Sequence, residues 1–275
     1  MKTTTGALTG IGGLELFYQG WLPEGDPKAR LIICHGLAEH GGRYAHVAGA
    51  LTARGCAAWA LDYRGHGRSE GLRGYVERFD LFTEDLHAFV HHVAPAPRTC
   101  MYGHSMGSAV ALSYALRYPQ DLDGLIVSGG TLIPGAEITP LVQATVKLMS
   151  SVLPKLPVAA LPAAALSHDP AVNVAYDADP LVYRGKVRAR LGAEILRANE
   201  YVRANLGRLA MPILIMHGGE DSITDPACAQ ILYDGVAAAD KTVKVWEGMY
   251  HEIHNEPAVK DDVIAMMADW ITARL

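Results

Sequence analysis

Short apolar runs rich in strand-forming residues recur along the chain and alternate with segments of helical periodicity. The apolar runs cover residues 30–36, 56–63, 99–105, 122–129, 212–218 and 242–248, and the helical segments cover 43–54, 77–93, 106–118, 226–235 and 257–274. Continuous apolar strands are typical of a mostly parallel sheet with helices on both faces. The alternation therefore predicts a doubly wound α/β fold, with the first 22 residues as an antiparallel hairpin at one edge.

The alternation stops between Thr131 and about Arg203, where no apolar strand-like run is found. Up to Ser167 this interval is poor in charge and is interrupted by prolines, which favours short, broken helices. We interpret residues 131–203 as a helical cap inserted over the carboxyl edge of the sheet, with residues 1–130 and 204–275 as the core. The alternative is that these helices are further parts of the same core.

Composition narrows the class of protein. The chain of 275 residues is 50% hydrophobic and has a formal net charge of −5 without a basic block, which suits a globular protein and argues against nucleic-acid binding. The first residues lack the apolar core of a signal peptide, and no uncharged run is long enough to span a bilayer. The four cysteines show neither a disulfide framework nor a metal-binding spacing. We therefore expect a cytoplasmic protein with reduced thiols.

Twelve histidines raise the question of a metal site. His251 and His254 are three residues apart but lack the helical H-E-x-x-H pattern, and His91 and His92 are adjacent on a predicted helix. Metal ligands need a convergent spacing, which these positions do not show. We predict that the protein works without a metal and without a cofactor.

The pentapeptide Gly103-His104-Ser105-Met106-Gly107 fits the pattern G-x-S-x-G. It ends a predicted strand and opens a predicted helix whose first turns carry small residues. The flanking glycines let strand and helix approach closely, while the serine projects at the carboxyl edge of the sheet, where ligands bind in such folds. This context predicts that Ser105 is a nucleophile rather than a serine in a glycine-rich loop.

A serine nucleophile needs a histidine base, and the base needs a carboxylate that holds it in the correct tautomer. In hydrolases of this architecture the acid follows the serine along the chain and the histidine comes last. The loop after the run 212–218 offers Glu220, Asp221 and Asp225. Asp225 precedes Pro226 and is explained more simply as a helix N-cap, and Glu220 as a solvated loop charge. We predict that Asp221 is the acid.

The loop after the last apolar run offers His251 and His254 as the base. Gly248 and the lack of a regular pattern favour a loop from which His251 reaches Ser105. His254 lies beside Asn255, a candidate cap of the last helix, and is equally well explained as a pocket or loop histidine. We predict that His251 is the base.

A tetrahedral intermediate also needs two backbone N–H donors. The first is expected from Met106, directly after the nucleophile, and the second from Leu37, on the turn that follows the run 30–36. Because only backbone atoms act here, the side chains at these positions do not test the prediction.

Six short motifs are distributed over nearly the whole chain. They are HGLAEHGGRY (35–44), DYRGHGRSEGLRG (62–74), GHSMG (103–107), DPLVYRGKV (179–187), HGGEDSITD (217–225) and EGMYHEIHNEP (247–257). In this order they resemble the monoacylglycerol lipase family of serine hydrolases, in its bacterial form. The resemblance implies the α/β-hydrolase fold with a helical cap and a tunnel for one acyl chain. It also implies hydrolysis of one fatty acyl ester, with Ser105, Asp221 and His251 as the triad. Ser108 departs from the family, which usually has a second glycine there.

By the same resemblance, five residues match positions near the alcohol end of the family's pocket, namely Glu39, Arg43, His104, Tyr176 and His254. Each also has a structural explanation. Glu39 and Arg43 are four residues apart and can pair with each other, and His104 can be a buried histidine below the serine turn. The glycine-rich loop 62–71 can simply be held by Asp62 and Arg64.

The same triad serves several enzymes that cleave acyl bonds. Besides a monoacylglycerol lipase, the alternatives are a lysophospholipase, a thioesterase, a general long-chain carboxylesterase and a proline-type peptidase, because specificity depends on the shape of the pocket. A catalytically silent receptor of this fold would not need the complete triad. The expected partner is a lipid ester, and the apolar stretch 148–167 predicts loose contact with lipid surfaces. The sequence leaves the oligomeric state open.

Overall fold

The computed structural model describes residues 1–159 and 163–275, so the middle of the cap interval, residues 160–162 of the apolar stretch, lies outside the described part. The strands are β1 (Lys2–Thr9), β2 (Glu15–Leu22), β3 (Ala29–Cys34), β4 (Cys56–Leu61), β5 (Thr99–His104), β6 (Gly124–Ser128), β7 (Pro157–Ala159), β8 (Val187–Arg188), β9 (Ile213–Gly218) and β10 (Lys241–Trp246). The helices are α1 (Ala45–Thr52), α2 (Asp80–His92), α3 (Met106–Arg117), α4 (Pro140–Val152), α5 (Pro170–Ala178), α6 (Ala189–Asn205), α7 (Ala227–Gly235) and α8 (Lys260–Thr272).

One sheet organises the molecule, in the strand order β1-β2-β4-β3-β5-β6-β9-β10. The six strands from β4 to β10 in that order run parallel, and β2 joins β4 antiparallel. The hairpin of β1 and β2 forms one edge of the sheet, as the sequence predicts. The architecture is the predicted α/β-hydrolase fold, and it gathers the carboxyl ends of β3, β5, β9 and β10 along one edge of the sheet.

Burial explains which apolar runs became central strands. Every residue of β3, β4, β5, β6 and β9 is buried, as expected for strands covered on both faces. By contrast, β10 alternates between half-buried and exposed positions. The expectation of cover on both faces is therefore wrong for this strand, because β10 is the outer strand of the sheet.

Helices cover both faces of the sheet and form two apolar cores. On one face α2, α3, α6 and α7 pack through residues such as Phe82, Leu112 and Val202. On the other face α1 and α8 pack through residues such as Val47 and Met267. The predicted helices on both faces are thus observed.

The segment between β6 and β9 adds three helices, α4, α5 and α6, to the described part of the chain. It also holds a short antiparallel pair, β7 with β8, that the sequence pattern did not predict because each strand has only two or three residues. The predicted boundary at residue 203 falls inside α6, whose Ala198 and Val202 belong to the main apolar core. Among the described residues, every helix is too short or too polar to cross a lipid bilayer.

The cysteines are all buried free thiols, in agreement with the expectation of reduced cysteines. Burial raises the pKa of the Cys34, Cys100 and Cys228 thiols to about 12. Because the thiolate is the reactive form, these residues pack as small apolar side chains and are chemically inert.

Candidate active site

Ser105 stands on a strained turn between β5 and α3. Its φ of 53° and ψ of −125° place a non-glycine residue in a region that side chains rarely adopt. The turn is possible only because its neighbours are glycines: a Cβ on Gly103 would lie 2.4 Å from the carbonyl oxygen of Gly107, and one on Gly107 would lie 1.9 Å from that of Cys34. The predicted close approach of strand and helix is confirmed, and it projects the serine from the carboxyl edge of the sheet.

The turn after β3 faces Ser105. A Cβ built on Gly36 would lie 3.3 Å from the Cβ of Ser105, which places the backbone of this turn against the serine. Neither the N–H of Leu37 nor that of Met106 has a hydrogen-bond acceptor among the described residues. Two backbone donors from these two turns are therefore available to a bound oxyanion.

Asp221 is buried and its carboxylate accepts hydrogen bonds on both oxygens. Oδ2 accepts from His251 Nδ1 at 2.6 Å, His217 Nε2 at 3.0 Å and Thr224 Oγ1 at 2.9 Å. Oδ1 accepts from the N–H groups of Ile223 and Thr224. Burial opposes ionisation, but the charge of His251 and the hydrogen bonds of both histidines lower the pKa of Asp221 well below its usual range. The carboxylate is thus a permanent anion.

His251 is the partner of this anion. Burial lowers the pKa of its imidazole, and the charge and hydrogen bond of Asp221 more than offset that effect, so that the pKa is raised above the ordinary value. With Nδ1 donating to the carboxylate, Nε2 is the nitrogen left for proton transfer. Ser105 Oγ makes no hydrogen bond to any described residue, so the pairing of Ser105 with His251 belongs to the proposal below.

The alternative acids occupy other roles. Glu220 is exposed on the loop after β9. The side chain of Asp225 accepts from the N–H of Ala227, the first residue of α7, at 2.9 Å. The N-cap of α7 is Pro226, so the expectation that Asp225 is the N-cap is wrong by one residue, although its carboxylate does bond to the start of the helix. Asn255, by contrast, does not cap α8: its amide donates to Glu252, and α8 begins only at Lys260.

A group of three buried histidines lies behind the Ser105 turn. The ring of His104 lies 4.7 Å from that of His251 and 4.8 Å from that of His254, between centroids. His104 Nδ1 shares a hydrogen bond with Ser128 Oγ, which fits the structural explanation of His104. Burial lowers the pKa of His254 to about 3 and that of His104 well below its usual range. Of the three, only His251 has a pKa that is raised and not lowered.

Arg43 bridges two buried carboxylates. It donates to Glu39 and, through both terminal nitrogens, to Glu252 at 2.6 and 2.8 Å. Glu39 also accepts from the N–H of Gly36. Because Gly36 precedes Leu37 and Glu252 follows His251, the bridge fastens the turn after β3 to the loop after β10. The charge of Arg43 lowers the pKa of Glu252 to about 2 in spite of burial.

Tyr176 completes this group. It is buried on α5, and the guanidinium of Arg43 lies 4.9 Å from its ring centroid. His254 stacks on Tyr44, whose hydroxyl donates to Glu39. The fold thus brings together all five residues assigned by resemblance, although several of their polar atoms are already bonded to protein groups.

Sequence reasoning missed three polar residues of this region, namely His217, Thr224 and Glu252. The signals were a histidine four residues before Asp221, a hydroxyl three residues after it, and a carboxylate directly after His251. The glycine-rich loop 62–71 is held in place by Asp62 and Arg64, as one explanation of the sequence predicted. Asp62 accepts from the N–H groups of Gly41 and Arg68, and Arg64 pairs with Asp85.

The sequence family described as serine aminopeptidase, S33 (Hydrolase_4) matches residues 25–258. A monoacylglycerol lipase of Mycolicibacterium smegmatis is 36% identical over 98% of this chain and 97% of its own. The chain belongs to the monoacylglycerol lipase family. Within it, the monoglyceride lipase of Rattus norvegicus is 32% identical over 98% of this chain and 90% of its own.

Solved structures agree on the fold. A soluble variant of monoglyceride lipase from Saccharomyces cerevisiae, solved with a substrate analog, superposes with a TM-score of 0.89 at 22% identity and covers 100% of this chain and 95% of its own. At this identity the likeness supports the α/β-hydrolase fold, which agrees with the family membership above.

Proposed function

We propose that the protein is a carboxylic ester hydrolase that cleaves monoacylglycerols to a fatty acid and glycerol through an acyl-enzyme on Ser105. One observation carries this proposal: the buried pair of Asp221 and His251, 2.6 Å apart, stands at the same sheet edge as the strained Ser105 turn. A hydrolase needs this combination, and a silent receptor of the fold does not.

In the acylation step Ser105 Oγ attacks the ester carbonyl carbon while Nε2 of His251 takes the hydroxyl proton. The carbonyl oxygen becomes an oxyanion that accepts hydrogen bonds from the N–H groups of Leu37 and Met106. The C–O bond to glycerol then breaks, and His251 returns the proton to the glycerol oxygen. Asp221 stabilises the imidazolium that forms between these events.

In the deacylation step a water molecule replaces glycerol. His251 takes one proton from the water as its oxygen attacks the acyl carbonyl, and the same two N–H groups hold the second oxyanion. Collapse of this intermediate breaks the bond to Ser105 Oγ, which regains the proton from His251. The fatty acid leaves, and the enzyme returns to its starting state.

The charges around Arg43 support an uncharged alcohol. Glu39 and Glu252 are each only 3% exposed in their side chains and share one guanidinium, so the group carries one excess negative charge. A phosphate placed beside it would be repelled, whereas glycerol hydroxyls can hydrogen-bond to carboxylate oxygens and to Tyr176. We infer that Glu39, Arg43, His104, Tyr176 and His254 form the alcohol end of the pocket.

Contacts of the segment 131–203 with the catalytic loops support its role as a cap. The carbonyl of Leu166 accepts from the N–H of Glu252, next to the base. The N–H of Tyr183 donates to the carbonyl of Ala38, on the turn after β3. Leu166, Tyr176 and Val182 form an apolar cluster against Ile223, which is two residues from the acid. We propose that this segment covers the site and leaves room for one acyl chain.

A comparison of mono-, di- and trioleoylglycerol in detergent tests this function. We expect hydrolysis of the monoester to be far faster than that of the diester and the triester to be nearly untouched, because a second chain on the same glycerol would collide with the cap. Release of oleate, measured by titration, gives the three rates. A triester cleaved as fast as the monoester would mean an open site and would contradict the proposed cap.

A second panel at matched acyl length separates the neighbouring activities. Monooleoylglycerol should give a higher kcat/KM than oleoyl lysophosphatidylcholine, since the phosphate meets the excess negative charge at Glu39 and Glu252. An oleoyl thioester and p-nitrophenyl oleate complete the panel, because both lack the glycerol hydroxyls. A preference for the lysophospholipid or the thioester would reassign the substrate while leaving the serine mechanism in place.

We propose further that α4 contacts lipid surfaces. Leu141, Leu148 and Val152 lie on one face of this helix and are 77%, 60% and 64% exposed. Leu153 and Leu156, directly after the helix, are exposed as well. A patch of this kind on the cap would let the enzyme meet its substrate in a membrane without a spanning helix.

Flotation with phosphatidylcholine vesicles checks this surface. The double variant Leu148→Asp, Val152→Asp should lose most of the vesicle-bound fraction seen with the wild type, because each new carboxylate would have to enter the interface. The control is Ile11→Asp, Leu72→Asp, which changes two other exposed apolar residues outside α4. Equal flotation of both variants and the wild type would exclude the lipid contact.

A further inference from the structure

Two histidines and an aspartate lie together at the far end of α3, the helix that follows Ser105. His87 and His91 are four residues apart on α2, and their rings lie 4.5 Å apart between centroids. Asp121 lies on the short turn that follows α3. Each of these residues offers one ligand atom, and the three atoms all lie within 4.8 Å of one another. Asp121 lies 30 or more positions after the two histidines, so only the fold brings the three residues together.

We propose that His87, His91 and Asp121 form a binding site for a zinc ion that fastens α2 to the end of α3. Imidazole nitrogen and carboxylate oxygen are ligands that Zn²⁺ prefers, and three protein ligands leave the fourth position to water. The site is a stabilising one and takes no part in catalysis.

The distances suit a tetrahedral ion. His87 Nδ1 lies 3.1 Å and His91 Nε2 lies 3.4 Å from Asp121 Oδ2. Ligands at about 2.1 Å from zinc in a tetrahedral site are about 3.4 Å from each other, so both separations are already those of a metal site. The side chain of His91 is 58% exposed and can rotate to close the remaining distance to His87.

Neighbouring aromatic residues hold two of the ligands in place. The hydroxyl of Tyr114 donates to Asp121 Oδ2 at 2.7 Å, and the side chain of Asp121 is only 9% exposed. The ring of His87 stacks on Tyr118 at 3.9 Å between centroids, with the ring planes 10° apart. Such partners of metal ligands fix their orientation and raise affinity.

The electrostatic setting suits a cation. His87 and His91 lie in the last turns of α2, where the carboxyl end of a helix carries partial negative charge. The buried guanidinium of Arg30 donates to the carbonyls of Val90 and Val93 at the end of the same helix. Burial lowers the pKa of Arg30, and the charge of Asp121 opposes that shift.

The place of the site in the fold separates it from the chemistry. α3 begins at Met106 beside Ser105 and ends at Arg117, so its 12 residues span about 18 Å. A zinc ion at Asp121 would therefore restrain the far end of the nucleophile helix without touching the substrate. Bound metal should raise the unfolding temperature and leave ester hydrolysis unchanged.

Thermal unfolding of the EDTA-treated protein, with and without ZnCl₂, tests the proposal. At about 100 times its Kd, zinc should raise the Tm of the wild type by about 5 °C. His91→Gln removes one exposed ligand with little risk to the fold, and Asp121→Asn removes the carboxylate charge. Both should lose more than half of the shift. His92→Gln is the matched control, because His92 is exposed, adjacent on the same helix and bonded to Tyr18 instead.

Equilibrium dialysis against zinc gives the number of ions bound per chain and distinguishes this site from zinc binding elsewhere on the protein. The wild type and His92→Gln should hold one more zinc ion than His91→Gln, and MgCl₂ should give no Tm shift because magnesium prefers oxygen ligands. A wild type that shows no larger shift and no more bound zinc than His91→Gln would overturn the site. Unchanged monooleoylglycerol hydrolysis after EDTA treatment is expected in either case and bears on the serine mechanism alone.

Discussion

Replacement of Ser105 by alanine should lower kcat for monooleoylglycerol by roughly 10⁴ to 10⁶-fold, because the triad acts as a unit and no other group can form the acyl-enzyme. The methyl side chain is smaller than the hydroxymethyl and fits the same turn, whose geometry is set by Gly103 and Gly107. The fold should therefore persist. Steady-state kinetics together with circular dichroism measure the two effects separately.

The control for this variant is Ser113→Ala, which changes a buried serine on α3 that has no hydrogen-bond partner among the described residues. It should keep nearly full activity. Retention of a tenth of the wild-type kcat by Ser105→Ala would show that the serine is not the nucleophile. Labelling by a fluorophosphonate probe, which should occur in Ser113→Ala and fail in Ser105→Ala, gives an independent reading.

Replacement of Asp221 by asparagine should lower kcat by about 10⁴-fold and also move the pH profile. In the proposed mechanism the base is neutral His251, so activity should be lost as pH falls through its pKa. In the wild type Asp221 raises that pKa above the ordinary value of about 6.5, which places the acidic limb of kcat/KM above that value. Without the carboxylate, burial still lowers the pKa of His251 and only the smaller effects of Glu252 and Glu39 oppose it, so the limb should move to lower pH.

The comparison variant is Asp225→Ala. It should lose about 1 kcal/mol of unfolding free energy through the lost hydrogen bond to the N–H of Ala227 at the start of α7, and it should keep its pH profile. An inactive but stable Asp225→Ala beside an active Asp221→Ala would exchange the two acids. An acidic limb that stays in place in Asp221→Asn would show that the carboxylate does not set the pKa of the base.

His217 is a second histidine bonded to Asp221, and the sequence did not predict it. The sequence predicted one histidine on Asp221, and the structure places two, since His217 Nε2 lies 3.0 Å from the same oxygen as His251. Its position at the end of β9 is buried, so it reads as part of an apolar strand. Nothing in the local pattern shows that its ring turns back towards the loop.

The order of strands and helices along the chain, the Ser105 turn and the pairing of Asp221 with His251 could be predicted from the sequence by itself. The physical reason is that these features are local: burial on both faces imposes continuous apolar runs, the strained turn imposes flanking glycines, and parallel strands deliver the residues after them to one edge. Strand boundaries in the sheet lie within two residues of the predicted ones for the same reason.

Only the tertiary structure decided which side chains meet between loops and helices. Arg43 reaches Glu252 across 209 positions, and His91 meets Asp121 across a helix–helix contact. β10 is half-exposed because it is an edge strand of the sheet and pairs with another strand on one side only. Hydrophobic periodicity records that a residue is buried or exposed, but the partner it meets depends on strand order and helix packing, which no single segment encodes.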